Sequence, residues 1–93
     1  MHDLTGFQRD LLYVIDGLDD PHGLAIKASL ENYYEKEMHH GRLYPNLDEL
    51  VEKGLVEKGK KDQRTNIYTV TRRGRREIES RREWEQQYVD PAE

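Results

Sequence analysis

The sequence has no cysteine, so disulfide cross-links, thiolate nucleophiles and zinc sites built on Cys pairs are all excluded. Apolar residues are scarce as well. Only 34% of the 93 residues are hydrophobic, with a single Trp and a single Phe, which leaves a small core and no room for a large enclosed substrate cavity. No apolar run approaches the ~20 residues that cross a bilayer. The opening Met1-His2-Asp3-Leu4-Thr5 lacks the basic and apolar regions of a secretory signal, so the chain is expected to be cytoplasmic and to make no membrane contact. The components of an enzyme are missing too: there is no nucleophile paired with a positioned base, no Gly-rich phosphate loop and no carboxylate pair distinct from surface charge. No cofactor is expected.

What is present is charge, and it is unevenly placed. The chain carries a net charge of −4, yet residues 58 to 76 hold eight Lys or Arg (Lys58, Lys60, Lys61, Arg64, Arg72, Arg73, Arg75, Arg76) against Asp62 alone, a local +7 that leaves −11 on the rest. A basic strip on an acidic body is the asymmetry expected of a nucleic-acid binder. The bland alternative is a solvated charged surface. The acid excess, with nine Arg to six Lys, also points to a salt-rich cytoplasm in which negative surface charge maintains solubility. In such a medium, cation uptake by the acidic surface would flatten or reverse the usual salt dependence of DNA binding.

Periodicity predicts three short helices, a hairpin and a longer helix. Thr5 and Gln8 have the spacing of a capping box, and Phe7, Leu11, Leu12, Val14, Ile15 and Leu18 follow at helical intervals, giving a helix over 5–18. Asp19-Asp20-Pro21-His22-Gly23 is a turn cluster, after which Leu24, Ile26, Leu30, Tyr33 and Tyr34 define a second helix to about Lys36. The third, about 40–53, buries Leu43, Leu47, Leu50 and Val51. Gly54 stands where a left-handed terminus is wanted, and Pro45 falls early enough to be tolerated. Leu55-Val56-Glu57-Lys58 and Ile67-Tyr68-Thr69-Val70-Thr71 are β-prone and flank a polar segment, which reads as a two-stranded wing spanning 58–68 at its exposed end. An isolated hairpin is marginal in water, so Leu55, Ile67 and Tyr68 are expected to pin it to the helices.

Thr71 is a candidate N-cap for a last helix running to about Val89, ended by Asp90-Pro91. Four arginines near its positive end oppose the helix dipole and call for an anionic neighbour. Its apolar residues are few. Ile78, Trp84 and Tyr88 on so polar a helix suit a second molecule better than open water, although folding back onto the first helix is the alternative. The fold class is therefore mainly α with a small β-hairpin (α+β). It is a winged helix-turn-helix over 1–71 with a C-terminal dimerisation helix over 72–93, within one compact unit.

Two stretches carry a resemblance beyond pattern. His40-Gly41-Arg42-Leu43-Tyr44-Pro45-Asn46-Leu47, continuing through Leu50 and Gly54-Leu55-Val56, resembles the recognition-helix signature of PadR-like transcriptional regulators. Arg64-Thr65-Asn66-Ile67-Tyr68-Thr69-Val70-Thr71-Arg72-Arg73-Gly74-Arg75 is similar to that family's wing return. The acidic composition and the His-Gly-Arg-Leu-Tyr-Pro-Asn-Leu wording look like its haloarchaeal branch, which includes oxidant-responsive regulators. The first half, Thr5 to Lys36, fits in pattern without a comparable motif.

The resemblance implies a homodimer whose third helices enter successive major grooves of double-stranded DNA, at a palindromic operator, while the wings reach flanking DNA. Side-chain chemistry agrees: Arg42 can donate twice to guanine O6 and N7, Asn46 can pair bidentately with adenine, and Tyr44 can touch phosphate or a thymine methyl. Packing of Tyr44 against the wing is an equal alternative. Lys60, Lys61 and Arg64, with Thr65 and Asn66, are expected to make phosphate or groove contacts that position the protein without reading sequence. His39 and His40, at the start of the helix, are expected to donate to phosphate or to cap the helix. They could be joined by His2 and His22 in a metal site, but adjacent histidines diverge on a helix and no metal is expected. A winged helix can instead serve as a protein-interaction module, in which case Arg42 and Lys61 would matter to a partner and not to DNA. No residue specifies a small-molecule effector, the regulated genes, or repression over activation. With no thiol, an oxidant signal would have to enter through Met1, Met38, a ligand or another protein.

Overall fold

The computed structural model describes residues 1–89; the expected terminator Asp90-Pro91 lies outside the described residues. The elements are α1 (Gly6–Gly17), α2 (Gly23–Tyr34), α3 (His40–Glu52), β1 (Val56–Lys60), β2 (Asn66–Val70) and α4 (Arg72–Gln86). This four-helix, one-hairpin order is the winged-helix α+β architecture expected from the pattern.

Local chemistry sets most boundaries. Thr5 Oγ1 accepts from the Gln8 backbone N–H at 3.1 Å while Gln8 Oε1 accepts from the Thr5 N–H at 3.3 Å, closing the capping box at the start of α1. Helix α2 begins at Gly23 and stops at Tyr34, two residues before the expected end, because Glu35 takes a left-handed conformation (φ 59°). Helix α3 ends in a Schellman turn: the Leu55 N–H reaches Leu50 O and the Gly54 N–H reaches Val51 O, each at 3.0 Å, with Gly54 at φ +78°. Thr71 caps α4, its Oγ1 accepting from the Gly74 N–H at 3.0 Å and donating to Gly54 O at 2.7 Å.

The core gathers one face of each helix. Leu11, Leu12 and Ile15 of α1, Ile26 and Leu30 of α2, and Leu43, Leu47 and Leu50 of α3 are essentially inaccessible to water and meet Leu55, Val56, Tyr68, Val70 and Ile78. The hairpin pairs antiparallel from Val56 opposite Val70 to Lys60 opposite Asn66. β1 thus reaches two residues nearer the tip than the β-prone stretch 55–58 suggests, and β2 one residue nearer than 67–71. Val56, Tyr68 and Val70 anchor its base in the core, while Ile67 is only half-buried and forms a bridge to His22. The Tyr68 N–H donates to Pro21 O at 2.9 Å, so the segment before α2 acts as a short third rung beside the wing.

Two expectations change. The basic run 58–76 does not form one strip, because β2 carries the chain away from the wing tip before α4 begins. Four residue steps of strand put ~13 Å between the two ends. Lys58 is paired with Asp48 on α3 (3.7 Å), and Arg75 with Asp16 on α1 (3.7 Å), which supplies the anionic neighbour that the start of α4 requires. Ile78 is the second correction: it is 5% exposed and belongs to the protomer's own core, so it is not part of an outward apolar face. Trp84 and Tyr88 do not fold back onto α1; they remain 49% and 72% exposed.

Candidate nucleic-acid interface

Helix α3 presents four stripes. Leu43, Leu47 and Leu50 face the core, and Gly41, Pro45, Asp48 and Glu52 lie on the opposite, exposed side. Arg42, Asn46 and Glu49 run along one flank and His40, Tyr44 and Val51 along the other. The outermost ridge thus begins with two residues that have no hydrogen-bonding side chain, and Pro45, sixth in the helix, supplies no N–H for the Gly41 carbonyl.

The Arg42 side chain is exposed, and its guanidinium carbon lies 4.0 Å from the centre of the Phe7 ring. Asn46 departs from the expectation of a free base reader. It is half-buried, with Nδ2 donating to Arg42 O at 2.7 Å and Oδ1 accepting from Gln8 Nε2 at 3.0 Å. Gln8 Nε2 also donates to Glu49 Oε2. Tyr44 stacks nearly parallel on His40 at 5.8 Å between ring centres and rests over Gly23 at the start of α2. His39 and His40 are exposed at the entry to α3, where His39 is the N-cap residue without a side-chain cap bond. Among the described residues no group of three or more His, Asp or Glu is placed to hold a metal, and His2, His22, His39 and His40 do not converge.

The wing tip is closed by Asp62, whose Oδ1 accepts from the N–H groups of Arg64 (2.8 Å) and Thr65 (2.9 Å). These bonds hold its carboxyl below the usual range. Lys61 N–H donates to Thr65 O at 2.9 Å, which leaves the Lys60, Lys61 and Arg64 side chains exposed around the tip. Between tip and helices lies a cleft of about 160 Å³, lined by His22, Gly23, Tyr44, Arg64, Thr65 and Asn66. Tyr44 therefore sits in the angle between α2, α3 and the wing. Tyr68 closes the floor of this region, and burial, with Asp48 and Tyr44 nearby, pushes its phenol pKa up.

The structure brings His40 and Tyr44 together and sets Tyr44 beside Arg64, Thr65 and Asn66 of the wing; it places Arg42 on the other flank of α3, against Phe7, and withdraws Asn46 into the joint between α1 and α3. Sequence reasoning passed over Phe7 and Gly23 as functional positions and gave Gln8 only its capping role. A polar N3 residue in an otherwise apolar stripe was the one available signal for Gln8. At the end of α4, the Trp84 and Tyr88 rings meet at 5.2 Å in a tilted arrangement with Arg81 over the Trp84 ring at 4.5 Å, and Val89 continues this exposed face.

A winged helix with an exposed third helix flanked by a basic hairpin defines a class of nucleic-acid-binding folds. The chain matches the transcriptional regulator PadR-like family over residues 11–80 and belongs to that family. It is similar to RosR of H. salinarum in a solved structure grown from NaBr, at 49% identity and TM-score 0.89, covering 96% of this chain and 80% of that one. In the hsRosR-S1 complex structure the identity is 50% and the TM-score 0.90, covering 98% of this chain and 81% of that one. The chain is thus a PadR-like winged-helix regulator of the haloarchaeal type. None of the curated proteins compared matches it. No described helix is long and apolar enough to cross a membrane.

Proposed function

We propose that this regulator is a homodimer that reads a palindromic site in double-stranded DNA, with α3 in the major groove and the wing on flanking phosphates. The observation that carries this reading is the placement of Arg42 and Tyr44 on the flanks of an unobstructed α3 ridge, beside a tip bearing Lys60, Lys61 and Arg64. Arg42 is the base reader, best matched to guanine O6 and N7, and such a bidentate pair is worth ~1–3 kcal/mol of discrimination. Tyr44, His39 and His40 contact backbone or a thymine methyl, and Thr65 and Asn66 line the cleft through which the phosphate chain passes. Asn46 reads adenine only if it gives up Gln8 and Arg42 O; its bonds in the free protein favour a supporting role.

Helix α4, over 72–86 and the residues after it, is the dimerisation element. Trp84, Tyr88 and Val89 form its exposed apolar face, and Tyr13 Oη, at the α1–α4 joint, has no hydrogen-bond partner among the described residues although it is buried. An exposed apolar face of this kind is compatible with a second protomer covering it.

Selection of random duplexes by the purified protein in molar KCl, followed by fluorescence anisotropy, tests the proposal. A palindrome with half-sites about one helical turn apart, weakened by Arg42→Ala, is the expected result. No enrichment over the input pool would overturn it.

A further inference from the structure

The flank of α3 that carries Arg42 is held by the first turn of α1. Phe7 and Gln8 are adjacent, 7% and 3% exposed, and both make their polar or cationic contacts with α3. Gln8 has no freedom to turn: its Oε1 is committed to the Thr5 N–H in the capping box, so its Nε2 must point away from the cap. There it meets Asn46 and Glu49, one helical turn apart on α3. Asn46 in turn donates to the carbonyl oxygen of Arg42, and Phe7 supplies the aromatic face beneath the Arg42 guanidinium. Behind Phe7 stands Tyr34, its ring centre 6.3 Å away and its hydroxyl donating to Asp10. Backbone and head group of one arginine are therefore gripped from a single pair of α1 residues.

We infer that Phe7 and Gln8 are positioning residues of the DNA-reading helix: Gln8, through Asn46 and Glu49, sets the rotation of α3, and the Phe7 ring restricts the directions that Arg42 can take. This inference rests on the proposed reading of α3 as the helix that contacts bases. A flexible arginine forfeits side-chain entropy when it docks on a base edge, and a guanidinium already stacked on a ring loses less. The contact also excludes competing orientations, so its removal broadens the set of bases Arg42 accepts. Its size is that of a partly exposed cation–π pair, about 2- to 5-fold in an equilibrium.

The test compares two duplexes, the selected site and the same site altered at the base pair whose preference Arg42→Ala abolishes. Their affinity ratio is measured by anisotropy for wild type, Phe7→Leu, Phe7→Tyr and Gln8→Met, each with Arg42 and with Arg42→Ala. Phe7→Leu lowers the ratio about 2- to 5-fold, Gln8→Met lowers it too, Phe7→Tyr retains it, and none changes it once Arg42 is absent. Equal loss on both duplexes, or an equal change with and without Arg42, means that the residues only support the fold, and it overturns the inference. A wild-type protein with no preference that depends on Arg42 overturns the base-reading assignment, and the positioning role with it. Gln8→Met and Phe7→Tyr keep the test open should Phe7→Leu fail to fold.

Discussion

The Tyr44 phenol lies so close over Gly23 that a Cβ at residue 23 would stand 2.5 Å from its oxygen and 2.8 Å from the nearest ring carbon. The first residue of α2 and a flank residue of α3 are thus packed against each other with no space for a methyl group. Gly23→Ala should push Tyr44 off this seat, destabilise the fold by about 1–3 kcal/mol and weaken DNA binding. Thermal unfolding and anisotropy check this, and in a Tyr44→Ala background Gly23→Ala should have little effect on either.

A second glycine joins the wing to α4. A Cβ at Gly74 would overlap the Leu55 carbonyl oxygen and crowd Val70, and neither backbone can retreat, because the Thr71 N–H donates to that same carbonyl at 3.0 Å. Gly74→Ala should lower stability by about 1–3 kcal/mol in urea unfolding. It should leave the base preference of the folded fraction intact, since Gly74 lies at the base of the wing.

Tyr34 gives the fold a sensitivity to alkali. Burial, then the bond to Asp10, pushes its phenol pKa up to about 12. A phenol that keeps its proton to higher pH when folded than when unfolded stabilises the fold fully below the unfolded value near 10, and this contribution is lost as pH rises through 12. Tyr13 and Tyr68 are raised in the same direction by burial, so the comparison is with Tyr34→Phe. Urea unfolding between pH 9 and 12 should fall more steeply for wild type than for this variant.

On α4, Trp84→Ser should convert the proposed dimer to a monomer at micromolar concentration, read by sedimentation velocity in molar KCl, with the helical circular dichroism signal retained. A monomeric wild type under the same conditions would remove the dimer from the proposal.

The wing and α3 should separate in their salt behaviour. Lys61→Ala should weaken binding to all duplexes alike, and in a titration at low salt it should reduce the slope of log affinity against log salt by about 1. Arg42→Ala should change the ranking of duplexes.

Much of this architecture was legible in the chain because its signals are local. Thr5 with Gln8, Gly54 after Leu50, and Thr71 before Gly74 state three helix boundaries within four residues each. The end of α2 was not, because Glu35 turns left-handed without the glycine that usually announces such a residue. Wing length was underestimated for a related reason: Gly59, Lys60 and Asn66 have low strand propensity and pair only because Val56, Tyr68 and Val70 fix the register from the buried end. Site chemistry was legible by residue type and not by partner. Arg42 and Asn46 carry equally suitable groups for base edges, and only the third dimension puts Gln8 against Asn46 and leaves the Arg42 head group at the surface. Likewise, the +7 run looked continuous until the strand divided it.

The bare start of the outermost α3 ridge, Gly41 and Pro45, also bears on how much an operator can say. Gly41 and Pro45 offer no side-chain donors or acceptors, so base pairs beneath them can be judged only by bulk and groove shape, as a thymine methyl excludes or admits a backbone. The information in a half-site would then collect at its two margins, under Arg42 on one side and Tyr44 on the other, around a degenerate centre. Regulators of this build would tolerate sequence drift in the middle of each half-site while holding its edges fixed, which sets where their binding sites can evolve.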